Sequence, residues 1–204
     1  MRNDLIRTAI ITILLSTISG VTLAFEELGK IKLASAEQPA PSIPGSTVHW
    51  LKNGEEYSWI IHTVEDDIQT GEDSTGCKWS ALDSTWAPSF SWENCNGSTG
   101  THKITKSKGS AWPMAVKTKF SFNFRGRDQM GTWTGYRRCK VKSAVKVQVP
   151  AGEYDTYKII CSVDWETLTF WYSPELEISI AKKRQHKYDR SKNYIQELVK
   201  IEMP

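Results

Sequence analysis

Several constellations are missing from this chain, and each absence removes a class of function. There is no C-x-x-C, so thiol exchange has no redox pair. There is no G-x-S-x-G nucleophile elbow and no glycine-rich phosphate loop. The four histidines, His49, His62, His102 and His186, stand at no metal-ligand spacing, and H-E-x-x-H does not occur. Neither a metal nor a cofactor is therefore expected. Charge of one sign is also scarce. A net charge of +3 over 204 residues does not argue for nucleic acid. Glu93, Asp155 and Asp164 sit beside aromatic residues, and Asp155 is explained as a turn residue. With no catalytic constellation in view, an enzyme is not expected. Helical periodicity is nearly absent beyond the N-terminal stretch.

What the chain does have is a targeting segment, four cysteines, nine tryptophans and many short alternating runs. Arg2 and Arg7 precede an apolar stretch from Thr8 to Ala24, the layout of a secretory signal peptide. Cleavage is expected after Ala24 or Ala36. A membrane anchor is the rival reading, but it needs about 20 apolar residues, and this stretch is shorter and carries Ser and Thr. Export implies an oxidising compartment, where four cysteines read as two disulfides. Residues 25–47 include the Pro- and Ser-rich run EQPAPSIPGST and read as a flexible linker. Residues 48–204 read as a single domain.

The stretch from Cys139 to Cys161, CKVKSAVKVQVPAGEYDTYKIIC, is a β-hairpin written almost in full. On its first arm Val141, Val145, Val147 and Val149 are expected to share a face. On its second arm Tyr157, Ile159, Cys161 and Val163 do the same. Pro150, Ala151 and Gly152 break the run as a turn requires. Cys139 and Cys161 both fall on the apolar face, but simple alternation sets them diagonal. A Cys139–Cys161 bridge therefore requires a bulge or a small offset.

Further strands are expected at Glu56–Val64, Thr101–Lys106, Val116–Arg125, Thr167–Tyr172, Leu176–Ile180 and the C-terminus, where Ile195, Val199, Ile201 and Met203 alternate. Glu65 to Asp73 reads as a solvated acidic turn, because its spacing does not match a calcium loop. Cys77 to Cys95 reads as two short strands broken at Ala87-Pro88 and closed by a second disulfide. Asn96-Gly97-Ser98 is a turn and also a formal glycosylation sequon. The basic run Lys182–Lys192 reads as a charged edge hairpin, or as a weak contact to anionic lipid. The fold class that follows is all-β: an antiparallel meander curled into a half-barrel, a barrel or a sandwich.

The order of motifs is similar to that of a group of uncharacterised exported β-domain proteins of Gram-negative bacteria. Those motifs are Trp92-Glu93-Asn94-Cys95, Trp112-Pro113-Met114, Tyr136-Arg137-Arg138-Cys139, Val149-Pro150-Ala151-Gly152-Glu153-Tyr154-Asp155-Thr156-Tyr157-Lys158 and Trp171-Tyr172-Ser173-Pro174-Glu175. The group's run resembles V-P-A-G-T-F-D-T-Y-K; here Glu153-Tyr154 replaces Thr-Phe. The resemblance covers about Lys78 to the C-terminus. It implies a periplasmic antiparallel domain like the lipoprotein-carrier half-barrels and brings no catalytic residues. Export and a curved, aromatic-lined sheet together point to a non-catalytic binding or structural module of the cell envelope. Its expected partner is an apolar or acyl lipid, a glycan or an envelope protein. Trp79, Trp92, Trp133 and Trp171 are the candidate ligand-facing aromatics. The alternative is a Trp-dependent glycan-binding module or glycoside hydrolase on the same surface.

Overall fold

The computed structural model describes residues 25–83 and 86–204; the expected signal peptide lies outside them. Thirteen antiparallel strands make one sheet. They are β1 (Glu26–Lys30), β2 (Thr47–Lys52), β3 (Glu55–Glu65), β4 (Ile68–Asp73), β5 (Lys78–Leu82), β6 (Ser91–Cys95) and β7 (Ser98–Lys108). Then come β8 (Lys119–Asp128), β9 (Gly131–Val149), β10 (Gly152–Ser162), β11 (Glu166–Ser173), β12 (Ile178–His186) and β13 (Tyr194–Glu202). Most neighbours in sequence are neighbours in the sheet, and β13 pairs with β2. Pairing of β8 with β9 closes twelve strands into a barrel, with β1 added outside that ring. Of the three architectures open to the sequence, the sheet takes the closed one, which leaves no long free edge.

Strand β9 makes closure possible through its length. Residues 131–140 pair with β8, and Val145 to Gln148 pair on the same edge with β1. Along its other edge β9 forms the expected hairpin with β10. The required bulge is present. Lys158 pairs with Ser143 but Ile159 pairs with Val141, so Lys142 is the extra residue. That single insertion sets Cys139 directly opposite Cys161, with their Cα atoms 4.0 Å apart in the disulfide. It also corrects the expected face. Val141 packs with Tyr157, Ile159 and the cystine, whereas Val145, Val147 and Val149 turn to the other side of the sheet. An inserted residue exchanges the two faces of everything beyond it.

The same device recurs at Ile180 on β12 and Val199 on β13. Val199 is therefore not on the buried face; Leu198 is, at 1% exposure. Two other expectations need correcting. Glu65 to Asp73 is not all turn, since Ile68–Asp73 forms β4 between β3 and β5. The basic run is not an edge, since β12 is hydrogen-bonded on both sides.

Residues 25–47 differ from a free linker. The ring of Phe25 packs on Trp171 at 4.5 Å. Glu27 accepts hydrogen bonds from Lys158 Nζ at 2.6 Å and Trp171 Nε1 at 3.0 Å. Ala36 bridges to Met114, and the Tyr157 hydroxyl donates to the Ala34 carbonyl. An irregular segment cannot pair its own backbone groups, but here side chains and neighbouring strands supply the partners. The second disulfide, Cys77–Cys95, ties β5 to the end of β6.

Candidate functional site

The inner wall of the barrel is built from aromatic rings lying on glycines. Trp79 on β5 stands opposite Gly71 on β4, and Trp133 on β9 opposite Gly126 on β8. A Cβ on Gly71 would meet the Trp79 ring at 2.5 Å, and one on Gly126 would meet Trp133 at 2.4 Å. Gly100 under Trp92 and Gly135 under Phe124 repeat the arrangement. The missing side chain lets each ring lie flat along the wall and keeps the lumen open.

Two chambers result. The first, of about 190 Å³, is lined by Trp50, Trp59, Trp79, Trp86, Phe170, Tyr172 and Ile61, with Lys182, Gln69, Gln196 and Ser179 among its polar groups and Asp83 and Glu177 as its carboxylates. The rings of Trp50 and Trp59 are 5.2 Å apart at 74°, and those of Trp59 and Trp79 are 5.7 Å apart at 55°. Trp86, between β5 and β6, forms the floor against Phe120, Phe170, Tyr172 and Trp112. Its indole N–H donates to Ser179 Oγ at 3.3 Å, and its carbonyl accepts from Arg137 Nη1 at 2.8 Å. Two indole donors of this chamber, Trp50 Nε1 and Trp79 Nε1, are buried and have no acceptor among the described residues. A buried donor left unmet costs about 1–3 kcal/mol.

Cations gather at one place, around the Tyr194 ring. Lys182 lies 5.6 Å from the Phe170 ring and 5.7 Å from the Tyr194 ring, and Lys52 lies 4.9 Å from Tyr194. Burial raises the Tyr194 phenol, but Lys182, Arg184 and Lys52 outweigh it and hold the group below its ordinary value. Arg137 is pushed down to about 10, chiefly by burial and further by Arg184, while Glu166 opposes the shift. The Glu166 carboxylate accepts from Arg184 Nε at 2.7 Å. No described carboxylate forms an ion pair with Lys182 or Lys52.

The second chamber, of about 360 Å³, is lined by Trp92, Trp133, Phe124, His102, Arg137, Trp165 and Glu166, with Ser89 and Asp128. The His102 ring is 4.8 Å from Trp92 and 5.7 Å from Trp133, and its Nδ1 meets the Ser89 carbonyl at 2.9 Å. Burial lowers the His102 imidazole, the Ser89 carbonyl raises it in part, and Arg137 lowers it further. The unfolded chain thus takes up the proton first as pH falls. Stability contributed by neutral His102 is present above about pH 6.5 and is lost as pH drops toward the lowered folded value. Urea denaturation across this window should show stability falling with pH, and His102→Gln should flatten that slope. An unchanged slope would remove His102 from the acid response.

Of the predicted aromatics, Trp79 lies in the first chamber, and Trp92 and Trp133 lie in the second. Trp171 is elsewhere: 2% exposed, on the other face of β11 from Phe170, and sealed by Phe25 and Glu27. Sequence reasoning missed Trp50, Trp59, Trp86, Lys182 and Gln196. A signal for Trp50 and Trp59 existed in the aromatic-rich β2–β3 region; none marked Lys182, which sits in a basic run. Glu93, Asp155 and Asp164 stand on three separate elements, and Asp155 pairs with Lys146 at 2.7 Å. Among the described residues no group of three His, Cys, Asp or Glu is placed to hold a metal ion.

No family model matches the chain, and no curated protein matches its sequence. Among solved structures it resembles the hypothetical lipoprotein YmcC from Escherichia coli K12, with a TM-score of 0.50 at 7% identity over 81% of this chain and 90% of that one. A candidate exported protein with a YmcC-like fold from Bacteroides fragilis gives a TM-score of 0.44 at 11% identity, covering 83% of this chain and all of that one (100%). At 7% identity the likeness to YmcC is one of fold alone.

Proposed function

We propose that this protein is an exported, non-catalytic binding module of the cell envelope that holds the acyl end of a lipid with an acidic head group in its first chamber. Two disulfides support an extracytoplasmic setting. The observation that carries the ligand class is an indole wall combined with unmet donors. The apolar body of the ligand packs on Trp59, Trp79 and Trp86. Its carboxylate meets Lys182 and the free indole N–H groups of Trp50 and Trp79. A pure hydrocarbon would leave those donors unpaired. A sugar ring would favour coplanar, exposed tryptophans, and these are tilted and enclosed.

The test is native mass spectrometry of protein purified from its own envelope, followed by titration of tryptophan fluorescence with a medium-chain fatty acid. Lys182→Met should weaken binding about tenfold, the loss of one charge-assisted contact of about 1.5 kcal/mol. An empty protein that ignores the fatty acid, or a Lys182→Met variant that binds as well as the wild type, would sink this reading.

A further inference from the structure

The modest net charge conceals a barrel with two unlike walls. Strands β7, β8 and β9 contain a single carboxylate, Asp128, and it lines the second chamber. Their outward positions are basic. Lys119 stands directly opposite Lys140, and Lys103 directly opposite Arg125. Like charges directly across a ladder destabilise a sheet. None of these four, nor Lys108 or Arg138, forms an ion pair among the described residues. Five exposed acidic residues cluster across the ring on β3 and the turn after it, Glu55, Glu56, Glu65, Asp66 and Asp67, and the carboxylate nearest the basic wall outside its own strands is Asp164, in the lining of a groove beside Tyr136.

The basic wall also has relief and an apolar component. A groove of about 580 Å³ runs past Lys108, Lys119, Arg138 and Lys140, with Tyr136 and Ile160 in its lining. A second groove of about 660 Å³ lies on the other side of Tyr136. The Tyr136 ring is 39% exposed and carries the Arg138 guanidinium at 5.3 Å. Tyrosine with lysine and arginine around it is the composition of a surface that sits at a lipid–water boundary.

We infer that the outer wall of β7–β9 docks the barrel on an anionic phospholipid surface. Three points favour a membrane over a soluble polyanion. The cations spread over three adjacent strands, a two-dimensional array and not a single track. Their side chains are long and mostly exposed, so the charges can reach a plane of phosphates. An exposed tyrosine at the centre has a place to go only if the partner has an apolar layer beneath its charges. The repulsion between Lys119 and Lys140, and between Lys103 and Arg125, is then a cost in the free protein that phosphate contact relieves. This inference is independent of the ligand assigned to the lumen.

The purified full chain should co-sediment with vesicles of phosphatidylglycerol in phosphatidylcholine, and not with phosphatidylcholine alone. High salt should release it, because exposed charge attraction is screened. Reversing Lys119, Arg138 and Lys140 to Glu should weaken vesicle binding by at least about tenfold, since each basic group near an anionic surface contributes about 1 kcal/mol. The single variant Lys119→Glu places an acid opposite Lys140 and should raise the melting temperature while lowering vesicle affinity. That rise shows the fold is intact. Glu55→Lys, on the far wall, should leave binding unchanged. Wild-type protein that ignores anionic vesicles, a triple variant that binds them normally, or binding to dextran sulfate in preference to vesicles would each overturn the inference.

Discussion

Replacing Trp86 by alanine should lower stability by about 4 kcal/mol, within the range for removing a large buried aromatic side chain. Trp86 is 4% exposed although it lies between strands and not in one. Its ring meets Phe120 at 5.8 Å, Trp112 at 5.8 Å and Tyr172 at 5.7 Å, so it joins the closure strand β8 to β11 across the lumen. Its carbonyl accepts a hydrogen bond from the buried Arg137 guanidinium. Removing the ring empties the floor of the first chamber and loosens the loop that Arg137 holds. Guanidinium denaturation is the measurement, and a lower midpoint with an unchanged slope is the expected form. Trp86→Phe should recover a large part of the loss. A loss below about 1 kcal/mol in Trp86→Ala would mean that the loop is an ornament on the barrel and not part of its core.

Removing the Cys139–Cys161 bridge should cost about 3 kcal/mol in the chain-entropy account, for a sequence separation of 22 residues. The penalty should exceed that number in Cys139→Ala/Cys161→Ala, because both sulfurs are buried in the cluster of Val141, Ile159 and Phe120. The Cys77–Cys95 bridge closes a similar 18 residues but lies at a half-exposed strand end. Its entropic contribution is about 3 kcal/mol as well, with little packing added. Denaturation of the two double-alanine variants separates the contributions. Equal losses would remove the packing argument. Mild reductant should open Cys77–Cys95 first, as mapped by alkylation and mass spectrometry, because its sulfurs are the more accessible.

Composition and alternation determined much of this protein. The strand-rich class, both disulfide pairings and the hairpin turn at Pro150 to Gly152 are local properties, set by period-two patterning and turn chemistry. Even the need for a bulge or a small offset beside the cystine was legible, because two odd-numbered cysteines flanking a two-residue turn fall diagonal to each other; the structure takes the bulge. Tertiary structure decided where the bulges fall. Lys142, Ile180 and Val199 each exchange the faces of their strands, and no property of those side chains announces it. It also decided which way the charges point. Lys182 and Lys183 are adjacent in one basic run, yet Lys182 lines the chamber and Lys183 is exposed. Strand β4 escaped notice because its central residue is Gly71, whose role is to leave room for a ring on the next strand. Closure itself depends on the pairing of β8 with β9 and of β13 with β2, contacts whose energy is shared among many residues. A sequence states which residues alternate; only the closed sheet fixes which side of that alternation becomes the lumen.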